Sequence, residues 1–194
     1  LRVPPTLFSD GSVIGNPGPG GWAAVVVCGD QDAILDVLDN YVLDGDQEIK
    51  VLTADKLLAA VKVMSGVELP ESTNIRMEMR AAIEAIRAFR LSEAELYTDC
   101  EFMANSVNQG WLSNWQKRGW HKKGGASVAN RELWEEFLAV KGHKVVRFHH
   151  IAAHTNGSDF TSRVNSFCDE LARGRARLGS IVATQPDCLE TTAE

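Results

Sequence analysis

The order of elements along the chain predicts a three-layer α/β domain, in which a hairpin-built antiparallel part continues into parallel strands. Three observations carry that expectation. Two β-rich segments flank a glycine- and proline-rich turn near the start, helical and strand patterns alternate from residue 72 onward, and 44% hydrophobic with 24% charged residues over 194 positions is the composition of a chain able to bury one core. The length suits one domain carrying an insertion or a tail, and two full domains would be cramped.

Each element follows from a local pattern. Phe8 to Asp10 close an apolar run, GSVIGNPGPGG turns the chain, and WAAVVVC supplies a second strand. AILDVLDNYVL alternates imperfectly and is expected as a third strand. DKLLAAVKVM has the apolar spacing of a short helix starting near Thr53, so residues 42–70 are expected as an inserted helical unit. Ser72 or Thr73 caps a helix reaching about Phe89, with Met79, Ile83, Ile86 and Arg90 on one side. AELYTD reads as a strand ending on an acid. Helical signals at 100–109 and 129–140 flank a Trp-, Gly- and Lys-rich connection, KVVRFHHI gives a further strand, and a last helix covers 162–177. The domain is therefore expected over 1–178, and 179–194, without periodicity, as a mobile C-terminal tail.

Composition excludes several classes. No stretch has the eighteen or so consecutive apolar residues of a membrane helix, and LRVPPTLFSD lacks the charged-then-apolar pattern of a signal peptide. Cys28, Cys100, Cys168 and Cys188 lie far apart with no CxxC pair, and read as free thiols of a reducing, cytoplasmic compartment. A net charge of −6 argues against unspecific coating of nucleic acid. Charge is segregated, however. Seven acids and no Lys or Arg lie between Asp30 and Glu48, whereas Lys117, Arg118, Lys122, Lys123 and Arg131 fall in a stretch without an acid, enough for a local polyanion-binding face.

Four acids stand in distinctive contexts: Asp10 in FSDGS, Glu78 in TNIRMEMRAA, Asp99 in LYTDCE and Asp169 in NSFCDELAR. Singly, each is more often a turn, cap or solvated helix residue. Asp10 and Asp99 are expected to end strands, while Glu78 and Asp169 sit in otherwise apolar or small helices, where a lone charge needs a partner. Clustered carboxylates resist joint ionisation unless a divalent cation lies between them, and hard oxygen ligands select Mg²⁺ or Mn²⁺. Two such ions suit phosphodiester hydrolysis.

DGSVIGNPGPGGWAAVV, TNIRMEMRAAIEAI, LYTDCE, GWLSNWQKRGW and NSFCDELAR together resemble type 1 ribonuclease H, over about Phe8 to Arg177 apart from the inserted unit. The resemblance implies a five-stranded mixed sheet, three antiparallel strands continuing into two parallel ones, with helices on both faces. It implies an endonuclease that cuts the RNA strand of RNA/DNA hybrids with two Mg²⁺ or Mn²⁺ ions, leaving 3′-hydroxyl and 5′-phosphate ends. Asp10, Glu78, Asp99 and Asp169 match the family's metal-binding acids, and His154 in HHIAAHTNG matches its mobile histidine, with His149 and His150 as weaker rivals. Asn156 stands where a Gly is expected two residues after that histidine.

The same resemblance assigns the RNA strand to Asn16, Asn74 and the position of Glu101, where the family has Gln; the swap removes donors and adds negative charge. It assigns the DNA strand and its phosphates to Thr73, Trp111, Lys117, Arg118, Lys122, Lys123 and Asn130, with Trp115 and Trp120 mainly structural. Thr73 and Asn130 also read as helix N-caps, Asn16 as a turn residue, and the lysines as a solvated surface. A monomer acting on hybrid, away from membranes and free-standing rather than cut from a polyprotein, is expected. The competing readings are an integrase- or resolvase-like DNA nuclease of the same architecture, and a hybrid-binding module with weakened catalysis.

Overall fold

In a computed structural model, residues 4–42, 47–53, 56–152 and 157–184 are described. Strand β1 (Thr6–Val13) pairs antiparallel with β2 (Gly18–Gly29), Leu7 opposite Val26 and Asp10 opposite Ala23. Because successive side chains of a strand face opposite ways, the fully buried neighbours Leu7 and Phe8 feed two different cores. Leu7 joins Ala24, Leu96 and Phe148 on one face, and Phe8 joins Ala23, Val25 and Val61 on the other.

Helix α1 (Gln31–Asp39) follows β2, then strands β3 (Gln47–Thr53) and β4 (Lys56–Ser72). Helix α2 (Asn74–Ala88) leads into β5 (Glu93–Thr98). Helices α3 (Glu101–Asn108), α4 (Trp111–Lys117) and α5 (Arg131–Lys141) precede β6 (Val145–His150), and α6 (Phe160–Thr184) closes the described chain. The sheet has six strands in the order β3-β4-β2-β1-β5-β6; β5 runs parallel to β1 and β6 parallel to β5, while the other pairs are antiparallel. Ile83, Ile86, Trp134 and Phe137 from α2 and α5 fill the core on the Leu7 face, and Ile34, Leu38, Val164 and Leu171 from α1 and α6 the core on the Phe8 face. The three-layer α/β architecture is as expected.

Four expectations are corrected. The sheet has six strands rather than five, because the antiparallel part has four. The inserted unit at 42–70 is not helical: it holds β3 and most of β4. Leu57, Leu58, Val61 and Met64 satisfy a helical spacing, but Ala59, Val61 and Val63 alternate as buried positions and their row pairs with β2 from Gly29 to Gly18. Backbone pairing on both sides and β-branched side chains decide for strand. The stretch expected as a third strand is instead α1, where Asp30 caps by accepting from the Ala33 N–H at 3.0 Å and Ile34 and Leu38 bury one turn apart. The last helix runs to Thr184, so 179–184 is helix where a tail was expected; residues 185–194 lie outside the described residues.

Helix α2 is held from several sides. Thr73 caps its start, Lys144 Nζ donates to the carbonyls of Ile86 and Phe89 at its end (2.8 and 3.0 Å), and Arg80 and Arg87 both pair with Glu136 of α5 (2.8 and 2.6 Å). That fixes the helix carrying Glu78.

Candidate active site

Asp10 comes from β1, Glu78 from the second turn of α2, and Asp99 from the residue after β5. One carboxylate oxygen from each lies within 4.8 Å of the others. Asp10 does not end its strand as expected: β1 continues to Val13, and the parallel partner β5 stops first. Gly11 explains how Glu78 reaches its place. A β-carbon there would lie 2.4 Å from the Glu78 nitrogen and 2.6 Å from the Met77 β-carbon, so only glycine lets α2 sit this close to β1. Asp169 on α6 lines the same cleft, of about 540 Å³, but is not among the three oxygens that converge.

The electrostatics are those of crowded anions. Asp10 is 4% exposed, and burial, then the charges of Asp99 and Asp169, push its carboxyl up to about 8. Burial, then Asp10 and Asp99, also hold Glu78 well above the usual carboxylate range. Asp10 Oδ2 and Glu78 Oε2 are buried without a hydrogen-bond partner. Two orphaned hard oxygens facing a third acid are a donor set that a small divalent cation satisfies, so the residues fit Mg²⁺ or Mn²⁺. Asp169 is different: its carboxylate is ion-paired with Arg173 one turn along α6. Cys100 also lines the cleft, its thiol pushed up to about 12 by burial and by the charge of Glu78, and is no nucleophile.

Of the residues expected to touch the RNA strand, Asn16 and Asn74 meet at the start of α2. Asn16 Oδ1 accepts from the Asn74 backbone N–H at 3.4 Å, tying the β1–β2 turn to the helix that carries Glu78, and Asn74 lines the cleft. Glu101 opens α3, is exposed, and accepts from Asn105 Nδ2 at 3.4 Å. Thr73 accepts from the Arg76 N–H at 3.4 Å and is the N-cap of α2. Asn130 occupies the N-cap position of α5 in left-handed conformation (φ 54°) yet makes no capping bond; its side-chain oxygen accepts from Arg76 Nη1 at 3.2 Å. Arg76 thus links both.

The Trp-rich basic stretch divides into a packed half and a free half. Trp115, 8% exposed, meets Phe102 and the buried Trp134 with ring centroids 6.2 and 5.6 Å apart, while half-buried Trp111 packs beside them. Trp120 lies under the Arg131 guanidinium at 5.6 Å. Lys117, Arg118, Lys122 and Lys123 are all exposed. This aromatic anchoring holds the cationic loop to the domain.

His154 lies outside the described residues. Of its rivals, His149 stacks on Tyr97 (4.7 Å) and bonds Glu95 at 2.6 Å, and His150 is exposed at the end of β6. Sequence reasoning missed Gly11 and Arg173; the signals were a glycine directly after an acid, and a base four residues after Asp169 in DELAR. Among the described cysteines, Cys100 and Cys168 are free thiols, and Cys188 lies outside the described residues. No helix among the described residues is long and apolar enough to cross a membrane.

A four-plus-two mixed sheet that brings carboxylates from β1, α2 and the end of β5 together defines a class, an α/β enzyme with an acidic, cation-suited centre. A sequence profile of the RNase H family matches residues 4–177. Ribonuclease H of Thermus thermophilus is 36% identical over 172 residues, covering 88% of this chain and 85% of the relative, and that of Moorella thermoacetica 34% identical over 169 residues, covering 87% and 88%. The crystal structure of LC9-RNase H1, a type 1 RNase H with the type 2 active-site motif, superposes with a TM-score of 0.64 at 23% identity, covering 92% of this chain and 75% of the other, a likeness of fold. The chain belongs to the ribonuclease H family, and the resemblance to its type 1 members read from the sequence stands.

Proposed function

We propose that the protein hydrolyses the RNA strand of RNA/DNA hybrids at the cleft formed by Asp10, Glu78, Asp99 and Asp169, leaving 3′-hydroxyl and 5′-phosphate ends. The observation that carries the reading is the convergence of three carboxylates with two buried oxygens lacking hydrogen-bond partners, in a chain of this family. Mg²⁺ or Mn²⁺, two ions per site, supplies Lewis acidity and a lowered water pKa when bound. Asp10 and Asp99 would hold both ions, Glu78 the one nearer the leaving 3′-oxygen and Asp169 the one nearer the attacking water. Water adds to phosphorus as the bond to the 3′-oxygen breaks, and His154 assists proton transfer or product release.

Strand choice rests on groups around the acids. Asn16 and Asn74, joined at the start of α2, offer amides that donate to and accept from ribose 2′-hydroxyls, the feature that separates RNA from DNA. Glu101, at the start of α3, adds negative charge on the RNA side. Thr73, Trp111 and Asn130, with the exposed Lys117, Arg118, Lys122 and Lys123, hold the DNA strand and its phosphates. We take the working form to be a monomer in the reducing cytoplasm.

A hybrid labelled in turn on each strand, incubated with Mg²⁺, with Mn²⁺ or with chelator, tests the reading. Cleavage confined to RNA and dependent on metal is expected, and Asp99→Asn keeps the fold and hybrid binding while turnover falls by at least about 10³-fold. Unchanged hydrolysis by that variant, or cutting of the DNA strand, rejects the assignment.

A further inference from the structure

The cleft holds one basic side chain among its described lining residues, Arg173, and that side chain is spent on an acid. Four residues apart on α6, Asp169 and Arg173 share one helix face, and an Arg173 amino group is bonded to Asp169 Oδ2 while Nε approaches the Asp169 carbonyl at 3.5 Å. Asp10, Glu78 and Asp99 converge on one another; Asp169 stands apart from that triplet, on a cation built into the chain. The Arg173 side chain is 48% exposed against 17% for Asp169, so the guanidinium lies on the solvent side of the pair.

We infer that Arg173 is a positioning residue that occupies Asp169 in the substrate-free enzyme and holds down divalent-cation binding there until a phosphate draws the guanidinium away. The physical basis is competition between like charges: a divalent ion at Asp169 must displace the guanidinium or lie beside it. A phosphodiester is the natural destination for the displaced group, because the planar guanidinium fork matches two phosphate oxygens as well as it matches a carboxylate. Arrival of the nucleic acid then frees Asp169 when the fourth acid is needed. The inference rests on the reading of the four acids as cation holders, and concerns one of them.

Mn²⁺ titrated calorimetrically into the full chain without nucleic acid provides the test, on wild type, Arg173→Gln, Arg173→Lys, Asp10→Asn and Asp169→Asn. Arg173→Gln is expected to bind Mn²⁺ about tenfold tighter than wild type, Arg173→Lys to stay near wild type, and the gain to vanish when Arg173→Gln is placed on Asp169→Asn. On hybrid, Arg173→Gln reaches half-maximal rate at lower Mn²⁺ while KM for hybrid rises, a split that loss of packing does not produce. Thermal unfolding of each variant accompanies the titrations. Unchanged or weaker Mn²⁺ binding by a folded Arg173→Gln, or a gain that survives in Asp169→Asn, overturns the inference alone, provided Asp10→Asn abolishes wild-type binding. Binding absent from both wild type and Arg173→Gln overturns this inference together with the metal reading beneath it.

Discussion

At Asp10 the fold works against ionisation. Its carboxyl, about 8 in the metal-free fold, titrates near 3.8 when unperturbed, so across that window the folded chain binds more protons than the unfolded one. Metal-free stability therefore falls as pH rises from about 4 to about 8 and levels off above, with Glu78 adding in the same direction. Replacing the acid by its neutral isostere removes the penalty. In chelator, Asp10→Asn is expected to melt higher than wild type at pH 8, with the gap closing toward pH 4; thermal scans across pH check this, and a gap that is constant or reversed contradicts it. The neighbouring Gly11 makes a steric prediction. Alanine there drives a β-carbon into the α2 backbone at Glu78, costing about 2 kcal/mol in chemical denaturation and lowering kcat by moving Glu78 off the cluster. Full activity with full stability in Gly11→Ala refutes the proposed role of that close approach.

Elements differ in how plainly their residues announce them. Helix α2 was legible because cap, helix formers and a buried stripe of Met79, Ile83 and Ile86 agree, and β5 because AELYT alternates, with Ala94, Leu96 and Thr98 buried. Glu78 lies on the first of these elements and Asp99 directly follows the second, as read from the sequence, whereas Asp10, expected to end its strand, lies inside β1. Between Asp30 and Ser72 the patterns were ambiguous: Ala, Val and Leu in DKLLAAVKVM satisfy both periods, and strand pairing across the sheet, a non-local term, breaks the tie. The ion pair that sets Asp169 apart was likewise invisible as geometry, although its spacing stood in the sequence. Ile34 and Leu38 of α1 close the core on the Phe8 face, so α1 is a sheet cover. Ile34→Ala should cost about 3 kcal/mol of stability and leave kcat/KM on hybrid unchanged at a temperature where the variant is folded; an equal fall in activity makes α1 part of the catalytic apparatus instead.

For the whole molecule, the question is how a chain of net charge −6 grips a polyanion. Its charges are sorted: Asp32 and Asp36 lie exposed on α1, over the Phe8 face of the sheet, whereas Lys117, Arg118, Lys122 and Lys123 lie exposed at the end of α4 and beyond it, and Trp115 of α4 packs into the opposite core. With a Debye length of about 8 Å at physiological ionic strength, distant acids are screened from a phosphate seated on the basic loop, so the local charge rather than the total governs binding. Counterion release makes this quantitative. Each phosphate neutralised contributes roughly −0.9 to the slope of log K against log salt, so Lys122→Ala with Lys123→Ala should flatten the slope for hybrid binding by roughly 1.5 to 2. Turnover at saturating hybrid should hardly change, because these side chains lie outside the carboxylate cleft. Neutralising Asp32 and Asp36 to Asn should move net charge by the same amount in magnitude and leave the slope where it was. Fluorescence anisotropy across a salt series, with chelator present to prevent cleavage, separates the two ideas: equal slope changes from both pairs would mean that net charge, not the anchored basic loop, sets the affinity.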